Sequence, residues 1–419
     1  MRSPALVGAI FALAAIESAC DNRITGDHQL TSLRMNLTSP TESELGVPGQ
    51  SVSPTSMKFS VDALDEQGQI WPSDAEVQAF LVAGGSRLPL KDPCAASTDP
   101  SADPDWLLSR FNLTKGHAAN VSLPFSTPAI FGRLTLNIED PVSRAEGATP
   151  PIFFPNPTIT RLVKPLNLGA TNATYCSPFL GRQITVDSST MPAGKLIVSS
   201  LFQNALAISD TAAPEYGSIY VFTFSRPPTA FAKGRLVDRF SGAIAKFNGM
   251  TQVANPTLDP GNEVRTDLLP PYVELDASRR PTPTVTSAEN QWLTKYIAAP
   301  VRVTGIVCET TKDQTRSDNW IKYNTVVLNQ TGDGSAESVS GCGGVNSTAY
   351  VPPTRFSVQF PGKGVGNFDP AIQAGKEVTI TGMLQNSASK SGKTLYWTVS
   401  VRDQTDVCLL PRAMCPNAQ

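Results

Sequence analysis

The chain has 419 residues, which is room for two to four domains that each bury a core. Charged residues make up 17%, against about 25% in an average protein, while 30 glycines and 35 prolines favour many short strands joined by turns. The formal net charge of -2 excludes an overall electrostatic attraction to nucleic acid or to an anionic membrane.

The N-terminus has the features of an export signal. Arg2 supplies a positive charge, residues 5–16 form an apolar run too short to span a bilayer, and Glu17-Ser18-Ala19-Cys20 follows. The small residues before Cys20 resemble a bacterial lipobox, although Glu17 stands where an aliphatic residue is usual. The resemblance implies that residues 1–20 are a lipoprotein signal and that acyl chains on Cys20 anchor the protein. Plain secretion is the alternative.

Residues 21–32 are polar and predict a tether, and residues 33–140 alternate between apolar and polar side chains. The period-two stretches, separated by turn residues, predict the strands of a β-sandwich at 57–63, 77–82, 111–113, 119–123 and 132–138. Their spacing, the Gln67-Gly68 turn and the end at Glu139-Asp140-Pro141 resemble bacterial immunoglobulin-like domains that form the stalks of surface proteins. The resemblance implies a spacer or adhesive module and transfers no catalytic residue.

Residues 141–180 contain a proline-rich stretch that predicts a linker, and residues 181–259 predict a small barrel. Its strands are expected at 183–186, 196–200, 205–209, 219–224, 235–240, 243–247 and 251–254. This order resembles an OB-fold. Residues 234–259 resemble the closing half of OB-like modules found beside extracellular bacterial nucleases, which implies the module but no activity.

A weaker copy of the same pattern follows between residues 298 and 408, after a second proline-rich linker at 260–297. Corresponding residues of the two copies are Gly234 and Gly375, Val237 and Val378, Gly242 and Gly382, and Gly249 and Gly392. Residues 298–419 therefore predict a second OB-like module with a disulfide-rich tail. The predicted fold is all-β, with an immunoglobulin-like sandwich followed by two OB-like β-barrels and few, short helices.

Six cysteines follow Cys20, an even number in a chain with an export signal, and they predict three disulfides. These candidates are Cys94, Cys176, Cys308, Cys342, Cys408 and Cys415. Proximity along the chain predicts that Cys94 pairs with Cys176 and that the other four pair among themselves. Buried free thiols are an alternative. A zinc site is disfavoured because no Cys-x-x-Cys spacing occurs.

Residues that could support catalysis are sparse. The two histidines are His28, in the predicted tether, and His117, in a predicted hairpin turn. Acidic residues are scattered, and neither a phosphate-binding loop nor a dinucleotide fingerprint is present. The sequence therefore predicts no catalytic residue, no metal and no cofactor.

The first barrel carries a mild basic run and several phenylalanines. OB-type faces bind single strands by combining positive charge with stacking aromatics. The candidate ligand-binding residues are Arg235, Arg239, Phe222 and Phe240, with Phe224 and Phe247 nearby. The competing interpretation is that the phenylalanines fill the barrel and the charges solvate its exterior.

The expected function is that of a noncatalytic surface lipoprotein of the bacterial cell envelope, at the outer membrane or cell surface, with structural or adhesive modules. The expected partners are the membrane, through Cys20, and proteins or glycans; nucleic acid is not expected. The alternative is a protein that binds polysaccharide or single-stranded nucleic acid through its OB-like modules. An enzyme is the third class.

Overall fold

The computed structural model describes residues 29–46, 54–90, 93, 103–125, 130–165, 176–191, 193–247, 249–282, 284, 286–307, 324–330, 355–362, 365–373, 375–388, 395–410 and 414–415. The chain divides into two compact units, the first ending at Pro155 and the second beginning at Asn156. The prediction of an all-β protein with OB-like barrels is confirmed. The α-helices are short: α1 (Ile159–Val163), α2 (Ala288–Thr294) and α3 (Pro370–Gln373).

The first unit is a nine-stranded sheet. Its strands are β1 (Leu30–Ser39), β2 (Ser56–Asp65), β3 (Ala75–Ala83), β4 (Ser86–Arg87), β5 (Leu107–Leu113), β6 (His117–Pro124), β7 (Gly132–Glu139), β8 (Glu146–Ala148) and β9 (Ile152–Phe154). Strand β2 shows why they form: Met57, Phe59, Val61 and Ala63 alternate into the core, as period-two patterning requires.

The strands of this unit fold over one core as a half-barrel. Their order is β4-β3-β7-β8-β1-β2-β6, and β5 and β9 are added on β3 and β7. One antiparallel group, β1, β2 and β6, is joined to the other by a parallel pair between Ser32 and Glu146. The expected sandwich would have two separate sheets. Here the pairing of β1 with β8 connects the two groups of strands along one side.

The unit extends beyond residues 33–140. Strand β1 begins at Leu30, inside the predicted tether, and β8 and β9 lie inside the predicted linker. Ile152 and Phe154 of β9 are buried in the core of this unit. Proline-rich sequence therefore continues the sheet here, because short edge strands tolerate neighbouring prolines.

A charged cluster on β2 makes the first unit sensitive to acid. The Asp62 carboxylate accepts hydrogen bonds from Arg34 Nη2 at 2.8 Å and Asn36 Nδ2 at 3.1 Å, and His117 Nδ1 lies 2.8 Å from its other oxygen. Partial burial raises the pKa of Asp62, but the hydrogen bonds from Arg34, His117 and Asn36 outweigh it and lower the pKa below its ordinary value. Stability from this cluster is thus present above the unfolded-state pKa of about 3.9 and is lost as the pH falls through the lower folded-state pKa.

We expect Asp62→Asn to lower the free energy of unfolding of this unit by about 1 kcal/mol at pH 7, since it removes charge-assisted hydrogen bonds. The difference from the parent should shrink as the pH falls toward 3. Urea denaturation at a series of pH values measures this, with the exposed Glu42→Gln as the matched control. A difference that persists unchanged in acid would contradict the assignment.

The second unit contains two closed five-stranded barrels. The strands of the first are β11 (Leu196–Leu201), β12 (Ala205–Asp210), β13 (Ser218–Phe222), β14 (Arg235–Phe247) and β15 (Met250–Val264). They close in the order β11-β12-β13-β15-β14-β11, and β13 and β15 run parallel. This is the strand order of an OB-fold. An additional strand, β10 (Gln183–Asp187), is not part of the closed ring and pairs with β14 in antiparallel orientation.

The second barrel repeats this topology. Its strands are β17 (Pro300–Val307), β18 (Thr325–Asn329), β19 (Phe356–Gln359), β20 (Glu377–Ala388) and β21 (Leu395–Ser400). They close in the order β17-β18-β19-β21-β20-β17, and β19 and β21 run parallel. Two short strands flank the ring: β16 (Val273–Leu275) pairs with β17, and β22 (Val407–Cys408) pairs with β20.

The first two pairs of glycines of the predicted repeat occupy equivalent positions in the two barrels; Gly392, of the third pair, lies outside the described residues. Gly234 and Gly375 precede the fourth strands with φ values of 86° and 76°, a conformation that favours glycine. Their N–H groups donate to the carbonyl oxygens of Val198 and Val307, both at 2.9 Å and both in the first strand of their barrel. The same glycine thus turns the chain onto its own first strand in each copy.

The second pair of glycines marks a close approach between the fourth and fifth strands. A Cβ at Gly242 would lie 2.8 Å from the Ala254 carbonyl oxygen, and a Cβ at Gly382 would lie 2.4 Å from that of Ser400. Both are closer than carbon and oxygen pack in a protein core. Glycine is therefore required at the same bend in both barrels.

Helix α2 closes one end of the second barrel through a buried amide. Asn290 is fully buried; its Nδ2 donates to the carbonyl oxygens of Thr282 and Thr284, both at 2.8 Å. Its Oδ1 accepts from the indole N–H of the fully buried Trp397 at 2.9 Å. The helix is thus fixed to the barrel core, which positions the residues that follow it.

Candidate functional site: the outer face of the first barrel

OB barrels bind ligands on the outer face of their second and third strands and on the loops that join the first strand to the second and the fourth to the fifth. In the first barrel this surface comprises β12, β13, residues 202–204 and the turn between β14 and β15. The outward pairs along these strands are Ser209↔Ser218, Ala207↔Tyr220 and Ala205↔Phe222. The face therefore changes from small and polar at one end to aromatic at the other.

The middle of this face is covered by the second barrel. Ala207 packs in a buried cluster with Ala298, which follows α2, and with Met383 on β20; none is more than 1% exposed. Tyr220 and Ile297 pack against the same cluster. Burial raises the pKa of Tyr220 to about 12. The surface that would bind a ligand in an isolated OB barrel is in part an interface between barrels.

A buried ion pair lies beside this interface. The Asp406 carboxylate accepts from Arg402 Nε at 2.7 Å and from the Arg402 backbone N–H at 2.8 Å. Arg402 Nη2 donates to the Tyr272 hydroxyl at 2.8 Å, and Nη1 lies 3.4 Å from the Ser199 carbonyl oxygen of the first barrel. The guanidinium thus connects the end of β21 with β11.

Two further contacts join the barrels at the loop between β12 and β13. The Tyr216 backbone N–H donates to the Lys295 carbonyl oxygen at 2.7 Å, and Lys295 Nζ lies 3.0 Å from Glu215 Oε1. Together with the apolar cluster and the ion pair, these contacts make the second unit one packed body.

The two candidate arginines lie away from this face and are engaged within the β14–β15 hairpin. Arg239 Nη2 lies 2.6 Å from Asp259 Oδ2. Arg235 Nη1 lies 3.1 Å from the Asn262 carbonyl oxygen. The structure does not bring either one together with the aromatic end of the face.

The candidate phenylalanines differ in how far their side chains are exposed. Phe240 is completely buried, so it cannot stack on a ligand, and it fills the barrel as the competing interpretation expected. Phe222 is half-buried at the end of β13. Phe224 and Phe247 are 63% and 59% exposed. Phe222 and Phe224 are the two that the structure places next to each other, with ring centroids 4.5 Å apart.

Four rings form what we call the aromatic shelf: Phe202, Tyr220, Phe222 and Phe224. Phe202 precedes the short loop to β12, and its ring centroid lies 6.4 Å from that of Tyr220. The shelf continues from the covered middle of the face to its exposed end. Sequence reasoning missed Phe202 and Tyr220, although the period-two spacing of Tyr220 and Phe222 places both on one side of β13.

An open groove of about 500 Å³ lies in the first unit, between β5 and β6. Its lining residues are Ser109, Arg110, Phe111, Asn112, Thr114, His117, Ala118, Ala119, Val121, Ser122 and Leu123. His117 contacts Asp62 here, as the histidine of a catalytic triad contacts its acid. Among the described residues, no serine hydroxyl forms a hydrogen bond with this histidine.

The cysteine predictions are met in part. Cys408 and Cys415 form a disulfide with a sulfur separation of 2.13 Å, in agreement with pairing inside the C-terminal group. Cys176 is also disulfide-bonded. Cys20, Cys94, Cys308 and Cys342 lie outside the described residues, as does His28. Where the structure describes the chain, no three His, Cys, Asp or Glu side chains are grouped to hold a metal ion.

Within the described ranges no helix is both long enough and apolar enough to cross a membrane. No protein-family model matches the chain, and no curated protein is significantly similar to it.

Proposed function

We propose that the chain is a noncatalytic lipoprotein of the bacterial envelope, anchored through Cys20, whose β units serve as structural and adhesive modules. One observation carries the structural part: the middle of the first barrel's ligand face is closed by Ala298 and Met383 of the second barrel. A barrel that uses this face for packing contributes rigidity to a chain that projects from a membrane.

The contacts between the two barrels of the second unit support the same proposal. The two barrels are joined by an apolar cluster, by the contact of Arg402 with the Ser199 carbonyl oxygen and by a loop contact. Such contacts restrict the relative motion that adjacent modules otherwise have. Fixed orientation suits a spacer that presents a surface at a distance from its anchor.

Polysaccharide binding is a second candidate function, because the aromatic shelf is left partly uncovered. Single-stranded nucleic acid is a weaker candidate. Its recognition combines stacking with cations along the backbone, and Arg239 is already paired with Asp259. The two candidate arginines and the shelf do not form one surface.

Replacement of the anchoring cysteine tests the proposal. We expect Cys20→Ala to leave the membrane fraction and appear in the soluble fraction, because the acyl chains supply the membrane affinity. Asn22→Ala, in the predicted tether, is the matched control and should stay with the membrane. Protease shaving of intact cells then reports surface exposure. A Cys20→Ala protein that fractionates with membranes like the parent would contradict lipid anchoring.

A further inference from the structure

Phe224 is held in a backbone conformation that a bulky residue rarely adopts. Its φ is 60°, and the Ser225 N–H donates to the Thr223 carbonyl oxygen at 2.7 Å, which makes Phe224 the centre of a γ-turn with positive φ. Such turns are rare and strained. Strain of this kind persists only where surrounding contacts enforce it, and it clusters at functional sites.

Neighbouring hydrogen bonds enforce this turn. The Thr223 hydroxyl donates to the Ser225 carbonyl oxygen at 2.6 Å, and the Thr223 N–H donates to the Asn204 carbonyl oxygen at 2.9 Å. The turn is therefore fixed to the loop between β11 and β12. Its result is an aromatic ring that is 63% exposed, so core packing does not explain the conformation.

The ring lies against Phe222 at 4.5 Å between centroids and at 58° between planes. Phe222 in turn shares the outer side of β13 with Tyr220, which contacts Phe202. The exposed end of the aromatic shelf is thus a preformed apolar surface, made by Phe222 at the end of β13 and by Phe224 in the turn that follows. Preformed surfaces of this kind bind ligands with little loss of conformational entropy.

The two chain segments that carry the shelf contain only neutral polar groups. Gln203, Asn204 and Ser225 are exposed beside it and supply amide and hydroxyl groups. Residues 202–204 and 218–225 contain no charged side chain, and Arg226 is the first cation after them. One cation neutralises too few phosphates to hold a nucleic acid strand at physiological salt. The chemistry fits an uncharged ligand with apolar faces and many hydroxyls.

We propose that the exposed end of the aromatic shelf binds a neutral polysaccharide. Sugar rings would place their C–H faces on Phe224 and Phe222, while their hydroxyls would form hydrogen bonds with the adjacent amides. This inference rests on the proposed adhesive function and names the ligand class that the adhesive surface takes.

Affinity gel electrophoresis of the full chain tests the inference. The probes are dextran, laminarin, galactomannan and arabinoxylan, with a 16-nucleotide oligo(dT) as the charged comparison in a fluorescence-anisotropy titration. We expect at least one neutral polysaccharide to retard the parent. Phe224→Ala should weaken that binding about fivefold or more, in line with the loss of one stacking contact. Ile372→Ala is the matched control, because Ile372 is a similarly exposed apolar residue on α3 of the second barrel, and it should bind like the parent.

Phe224→Gly separates binding from folding. Glycine adopts positive φ without strain, so this variant should keep the parent's circular dichroism and thermal midpoint yet lose binding as Phe224→Ala does. The inference is overturned if no neutral polysaccharide retards the parent, if Ile372→Ala loses as much affinity as Phe224→Ala, or if oligo(dT) binds in its place. Release of Cys20→Ala from the membrane would then still support the proposed function, whereas a Cys20→Ala protein that stays with the membrane would count against the function itself.

Discussion

Asp406→Ala is expected to destabilise the second unit by about 3–5 kcal/mol, because it leaves a buried guanidinium without its counter-ion. The side chains of Arg402 and Asp406 are 5% and 1% exposed. Thr381 Oγ1 also donates to Asp406 Oδ1 at 2.8 Å, so the carboxylate is enclosed by donors. Removing the Asp406 carboxylate leaves the Thr381 hydroxyl and the Arg402 guanidinium without this hydrogen-bond acceptor.

Arg402 cannot escape this cost by losing its proton. Burial alone would lower the pKa of Arg402, but the hydrogen bond and the charge of Asp406 more than offset it and raise the pKa above its ordinary value. In Asp406→Ala this support is lost, but a guanidinium is so basic that Arg402 still keeps its charge at neutral pH.

The double variant Arg402→Met with Asp406→Leu is the control, because replacing a buried pair by apolar residues is often neutral or stabilising. Urea denaturation of the parent, the single variant and the double variant gives the three free energies of unfolding. Asp403→Asn, on the neighbouring exposed carboxylate, should have a small effect. A loss below 1 kcal/mol in Asp406→Ala would show that this pair does not contribute as its burial indicates.

Met383→Glu is expected to separate the two barrels. The side chain is fully buried against Ala207 and Ala298 in an apolar cluster. Burying an unpaired carboxylate costs several kcal/mol, so the interface should open and the first barrel should lose roughly 3 kcal/mol or more of stabilisation. Met383→Leu conserves volume and polarity and should cost less than about 1.5 kcal/mol.

The two barrels could be predicted from the sequence because their matching glycines are required by the local backbone conformation. Gly234 and Gly375 need a left-handed conformation, and Gly242 and Gly382 need room for a neighbouring carbonyl oxygen. Such requirements appear as glycines at fixed spacing. The alternation of β2 and β13 is equally local, and it predicted their strands within one or two residues.

The contacts between barrels could not be predicted in the same way. Ala207 and Met383 are 176 residues apart, and neither differs from a residue that faces its own barrel. In the sequence, Asp406 does not differ from the other scattered acidic residues. Only the folded chain places it against Arg402 and Thr381. Phe224 follows the alternation of β13 in sequence, but a γ-turn takes it out of the strand.

Hydrogen–deuterium exchange across a urea series, read by mass spectrometry on the full chain, tests most directly whether the two barrels form one body through the β12–β13 face. We predict that peptides from β11–β13 and from β17–β20 lose protection at the same urea concentration in the parent and in Met383→Leu. In Met383→Glu the β11–β13 peptides should lose protection at a lower concentration than the β17–β20 peptides. Independent loss of protection by the two barrels in the parent, unchanged by Met383→Glu, would contradict the account.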